Sequence, residues 1–131
     1  MAFGSYKKGS RAEHELMDEC VKHGFVVIRS AGSGKGSVCP DLLAFRRGER
    51  MAFECKAVDA SSLALDREQF EGLVAWEETS GMDTYVAWRQ RGGEWLFLRL
   101  EFFHKNDKSY AISLEEAKKT AAGFAQLFRT E

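Results

Sequence analysis

The sequence predicts an α/β chain: a mixed central β-sheet flanked by helices, in the order helix, three strands, helix, two strands, helix. Three observations carry this reading. The spacing of apolar residues switches between the three-to-four period of a helix and the two-residue period of a strand. Glycine turns and helix-capping residues punctuate the switches. Strand-like and helix-like segments interleave, the pattern of a mixed sheet covered by helices. A length of 131 residues with 44% apolar content suits one core, so residues 1–131 are read as a single domain.

Residues 11–23 form the first helix. Leu16, Met17, Cys20 and Val21 supply its inner face, Ser10 its N-cap and Gly24 its C-cap. Phe25 to Arg29 is a short strand. Asp41 to Arg46 and Met51 to Val58 are two more, joined by a tight Arg47-Gly48 turn. Asp66 caps a second helix running to about Ser80, with Gln69 completing a capping box, Phe70, Leu73 and Val74 inside, and Gly81 at its end. Thr84 to Arg89 and Trp95 to Leu100 are strands either side of a Gly92-Gly93 turn. Ser113 caps a last helix, with Glu116 three residues on and Leu114, Ala117, Ala121, Phe124 and Phe128 as its stripe. Ala31 to Ser37, rich in glycine and serine, reads as a mobile loop.

Composition removes several classes of function. No apolar run approaches the ~20 residues of a membrane helix. The opening MAFGSYKKGSRAE carries no apolar signal region, so a cytoplasmic protein is expected. Cys20, Cys39 and Cys55 are odd in number and lack zinc spacing, and are read as plain thiols. Net charge is −1, but residues 1–56 hold 10 basic and 7 acidic groups against 9 and 13 in residues 57–131. A positive face for phosphates fits this distribution, and so does ordinary solvated charge.

The chemistry concentrates in Phe53-Glu54-Cys55-Lys56. On a strand, Glu54 and Lys56 share one face while Phe53 and Cys55 take the other. A two-residue Arg47-Gly48 turn sets Arg46 against Glu49, and the same register sets Asp41 opposite Glu54. Carboxylates that close repel unless a proton or cation intervenes. A hard divalent ion such as Mg²⁺ prefers such oxygen ligands. A surface hairpin with a simple Glu54–Lys56 ion pair fits the same residues.

Glu13 lies three residues before Leu16 and so faces inward, as a third carboxylate or as capping-box partner of Ser10. Arg29 and Ser30 end the first strand, where Arg29 can hold a phosphate through paired hydrogen bonds and Ser30 can bond a phosphate or a metal-bound water; surface decoration fits each residue taken alone. His14, His23 and His104 show no metal-ligand spacing, and Ser33 to Ser37 is not a P-loop.

Four blocks in this order and spacing have a known parallel. Lys8-Gly9-Ser10-Arg11-Ala12-Glu13, Val27 to Gly34, Pro40-Asp41-Leu42-Leu43 and Phe53-Glu54-Cys55-Lys56, continued by Leu65 to Gln69, resemble the archaeal Holliday junction resolvases of the PD-(D/E)XK nuclease superfamily. The resemblance covers roughly residues 7–100. It implies a restriction-endonuclease-like fold and a single endonuclease domain over residues 1–131. It also implies a homodimer that cuts four-way DNA junctions by paired symmetric nicks, using Mg²⁺ or Mn²⁺ and water, with no covalent enzyme intermediate. Glu13, Asp41 and Glu54 match the family's metal-binding acids, joined by the backbone carbonyl of Cys55. Lys56 matches its catalytic lysine, Ser30 its active-site serine and Arg29 a basic residue needed for activity. Lys7, Lys8, Arg11, Arg29 and Lys35 are the expected DNA contacts. The residue after Glu13 is His14, where the family usually has arginine.

Two other functions share these residues: a superfamily nuclease acting on flaps, ends or specific sites, and a non-catalytic DNA-binding module. Phe102 and Phe103, in the apolar run from Trp95, are candidates for a dimer interface, with core packing the alternative.

Overall fold

The structure, a computed structural model, describes residues 2–30 and 38–129, with side chains described from Arg11 onward. Helix α1 spans Ala2–Lys22 and begins well before the expected start. Ser10 therefore lies inside the helix and is not its N-cap. The segment contains no proline, and isolated glycines such as Gly4 and Gly9 weaken a helix without ending it. Its C-terminus is as expected: Gly24 adopts φ +86°, a left-handed conformation that glycine takes without strain. Leu16 and Cys20 are buried, whereas Val21 is 61% exposed. Five residues after Leu16, Val21 lies roughly 140° further round the helix, off the buried stripe.

The main sheet contains β1 (Val26–Arg29), β2 (Leu42–Arg46), β3 (Glu49–Ala57), β5 (Asp83–Arg89) and β6 (Leu96–Arg99), in the order β1-β2-β3-β5-β6. β1, β2 and β3 form an antiparallel meander, while β3 and β5 run parallel. Arg47 and Gly48 both have positive φ, the geometry of a tight two-residue hairpin. The resulting register pairs Arg46 with Glu49 and Leu42 with Phe53, as the turn predicts.

Three strands escape the sequence reading. β4 (Ser62–Asp66) and β8 (Ser109–Ser113) pair antiparallel and, with β7 (His104–Lys105), form a second three-stranded sheet. Between β4 and β5 runs helix α2 (Arg67–Ser80), capped by Asp66, whose carboxylate accepts from the Gln69 backbone N–H. The expected single last helix is broken into α3 (Leu114–Thr120) and α4 (Phe124–Leu127). Ala122 leaves the helical path to exchange two backbone hydrogen bonds with Phe97, at 2.9 and 3.1 Å.

Two apolar clusters hold the layers together. One packs Ala12, Leu16 and Cys20 of α1 against Leu42, Ala44, Met51, Phe53 and Phe97 of the main sheet. The other joins Phe70 and Leu73 of α2 to Val86, Trp88, Leu98 and the second sheet. Phe103 is 7% exposed in this second cluster and sets its ring at a tilt to that of Phe70, centroids 5.2 Å apart, with Phe102 packed against the same group. That run is core, which removes Trp95 to Phe103 as the candidate interface.

Candidate active site

The end of the main sheet where β1 stops, β2 starts and β3 runs out gathers the chemistry. Asp41 immediately precedes β2, one step beyond the Leu42–Phe53 pair, so the register continues to Glu54. Its carboxylate Oδ2 accepts from the Cys55 backbone N–H at 2.9 Å, which ties it to β3. The Ser30 backbone N–H donates to the Asp41 carbonyl at 2.8 Å, closing the end of β1 onto the same point.

Alternation on β3 sends Phe53 into the α1 cluster and turns Glu54 the other way, toward α2. Glu54 is only 6% exposed, unusual for a carboxylate. Lys56, two residues on, brings its Nζ to 3.9 Å from Glu54 Oε2. The Gln69 side-chain Nε2 donates to the same Oε2 at 2.6 Å. The expected capping box is therefore incomplete: Asp66 caps the helix, but the Gln69 amide is committed to Glu54.

Burial is the largest influence on both acids. It pushes the Glu54 carboxyl up to about 8, with the nearby Asp41 charge adding to the rise and Lys56 opposing it. Asp41 is also raised, by burial first and by Glu13, against the lowering effect of its hydrogen bond from Cys55. One buried and one half-buried carboxylate held toward the protonated state, with hard oxygen donors and one amine at the rim, suit a divalent cation.

Glu13 stands on the α1 side, close enough to raise both acids. Its Oε1 accepts from Arg29 Nε at 2.8 Å. Three carboxylates therefore do not close into one group: among the described residues no cluster of three or more His, Cys, Asp or Glu stands ready to hold a metal. The structure brings Asp41, Glu54, Lys56, Ser30 and the Cys55 backbone together, with Glu13 and Arg29 as an ion pair beside them. Arg11 is exposed on α1. The side chains of Lys7 and Lys8, and all of Lys35, lie outside the described residues. Burial pushes the Cys20 thiol up to about 12 and the Cys55 thiol well above its usual value, which disfavours the thiolate form.

Gln69 is the site residue that the sequence reading misassigned. Its position three residues after an N-cap Asp matches a capping box, and only the crossing of α2 over β3 sends its amide elsewhere.

A mixed sheet with an aspartate leading into one hairpin strand and a Glu-x-Lys on the next defines a nuclease of the restriction-endonuclease-like fold. The sequence matches the family described as archaeal Holliday junction resolvase (Hjc) over residues 4–130. The chain belongs to that family. It is 39% identical over 122 residues to the crossover junction endodeoxyribonuclease Hjc of Methanocaldococcus jannaschii, covering 93% of this chain and 87% of that protein. To the Archaeoglobus fulgidus enzyme of the same name it is 33% identical over 106 residues, covering 80% and 78%. The solved structure of Archaeoglobus fulgidus Hjc, a Holliday junction resolvase from an archaeal hyperthermophile, superposes with a TM-score of 0.84 at 27% identity. That match covers 95% of this chain and 98% of the other.

Proposed function

We propose that this chain is a single-domain, structure-selective DNA endonuclease. It resolves four-way junctions by symmetric paired nicks, as a homodimer acting on DNA in the cytoplasm. The observation that carries the reading is the buried Glu54 beside the half-buried Asp41, with Lys56 at the rim, at the end of a sheet belonging to this family.

Asp41, Glu54 and the Cys55 carbonyl would hold Mg²⁺, for which Mn²⁺ substitutes, with Glu13 joining when Arg29 turns to a phosphate. The ion supplies Lewis-acid charge against the phosphate and makes water a stronger nucleophile. Lys56 donates hydrogen bonds that orient the attacking water or meet the charge developing on the phosphoryl oxygens. Ser30 adds a hydroxyl beside Asp41. Arg29, with a planar fork of donors, grips the DNA backbone. Arg11, exposed on α1, is a further DNA contact, and Lys7, Lys8 and Lys35 are expected contacts from the sequence alone. Water is the nucleophile: by the family's chemistry it adds to phosphorus as the P–O3′ bond breaks, so the leaving oxygen becomes a 3′-hydroxyl and the phosphate stays on the 5′ side.

A four-way junction has near two-fold symmetry, and two copies related by a two-fold axis present two such centres to opposed strands. The exposed large apolar residues Val26 (67%) and Ile28 (52%) on β1 offer the second copy a seat. Phe45 and Leu43 pair opposite them in register on the same sheet face, turned away from α1. Large exposed apolar patches mark such contacts.

The test is cleavage of a labelled synthetic four-way junction with Mg²⁺, beside a linear duplex and a flap, using wild type and Asp41→Asn. Paired nicks in the junction alone are expected, lost in Asp41→Asn while junction binding persists. A mutant that cuts normally overturns the site assignment; equal cutting of all three DNAs overturns the junction selectivity.

A further inference from the structure

Glu54 is a long, flexible acid in a place with little water. Such a group holds one geometry only if donors fix it. Lys56 at 3.9 Å is beyond a good hydrogen bond, whereas the Gln69 amide donates to Oε2 at 2.6 Å. The amide meets Glu54 through its N–H₂ group, the donor that the ionised, cation-holding carboxylate needs.

Gln69 is itself held. Its backbone N–H is bonded to the Asp66 cap at 2.8 Å, which fixes the first turn of α2 over β3. One turn on, Gly72 lies against Val38, three residues before Asp41. A Cβ added at Gly72 would fall 2.3 Å from a Val38 methyl carbon. The same helix face thus touches both sides of the acidic pair: Glu54 by a hydrogen bond, and the approach to Asp41 by close packing.

We propose that Gln69 is a positioning residue: from α2 it fixes the Glu54 carboxylate in the orientation that a divalent cation needs, without touching substrate. This rests on the metal-dependent nuclease reading above. Partners of this kind, once removed, typically lower metal affinity or activity by about 10–100-fold.

The experiment measures Mn²⁺ binding by EPR to the DNA-free protein, for wild type, Gln69→Met and Gln69→Ala. Methionine keeps the length of the side chain and loses the donor. Alanine suits a helix best and guards against a packing failure at Met. Thermal melts of the metal-free proteins confirm that each is folded. The expected result is a Mn²⁺ dissociation constant raised about tenfold or more in both variants. Four-way junction binding in EDTA should be unchanged, as should KM for the junction at saturating Mn²⁺. A structural role alone would shift the melts and leave the Mn²⁺ constant in place. Variants that bind Mn²⁺ within twofold of wild type overturn the proposal. Wild type that binds no Mn²⁺ overturns the metal-centre reading, and the role of Gln69 with it.

Discussion

Glu54 carries the main electrostatic tension of the site, and that tension gives a pH signature. Its carboxyl titrates at about 8 when folded, against 4.5 ordinarily. The folded state therefore holds the proton more tightly than the unfolded chain. Stability from this group is full below about 4.5 and is lost as pH rises through about 8. In EDTA, the Tm of wild type should fall between pH 5 and 8 by several degrees, at about 4 °C per kcal/mol for a domain of this size. Glu54→Gln should flatten that fall, because its amide cannot ionise. Added Mg²⁺ should raise the wild-type Tm more at pH 8 than at pH 5, where protons compete. A Tm that falls equally in the mutant would remove Glu54 as the cause. Asp41 was legible at this scale through the hairpin register alone, whereas Gln69 was not. Its sequence position has two chemically sensible partners, and local spacing cannot choose between them.

Helix α2 is the element that ties the site to the fold. Gly72 makes that possible by letting the helix approach Val38 closely. Gly72→Ala should destabilise the protein by about 1–3 kcal/mol, because the new methyl group overpacks against a branched side chain. The double variant Gly72→Ala with Val38→Ala should recover much of this, as read from urea midpoints. An unchanged midpoint in Gly72→Ala would show that the Val38 segment yields without cost. Asp66→Ala should cost about 1 kcal/mol through loss of the cap. The elements hardest to read were β4 and β8. Ser62-Leu63-Ala64-Leu65-Asp66 does alternate, with Leu63 and Leu65 buried, but five residues abutting a helix cap make a faint signal. The break between α3 and α4 was hidden for another reason. Apolar spacing runs on through Ala121 and Phe124, while the competing Phe97–Ala122 pairing comes from a distant strand.

At the scale of the molecule, Val26 and Ile28 stand out as large apolar side chains in water on an edge strand. Lysine at both should leave the fold intact and shift the proposed homodimer to a monomer in sedimentation. Paired nicks should then give way to single, uncoupled ones. An unchanged dimer would move the interface elsewhere. Net charge of −1 leaves DNA attraction to the local basic groups of the first half. Each phosphate contact adds to the salt slope of binding, so Arg29→Ala should weaken junction affinity and flatten its dependence on salt concentration.

Local chemistry was enough to determine the class of fold, the hairpin register and the convergence of Asp41, Glu54 and Lys56. Turn geometry and strand alternation act within a few residues, and they are written where they act. Long-range packing decided the rest. The crossing of α2 over β3 sent Gln69 to Glu54, and the α1 face set Glu13 against Arg29. The second core took in Phe103, and the return to Phe97 broke the last helix. Each of these depends on which distant surface a side chain meets, and that is fixed only when the layers close.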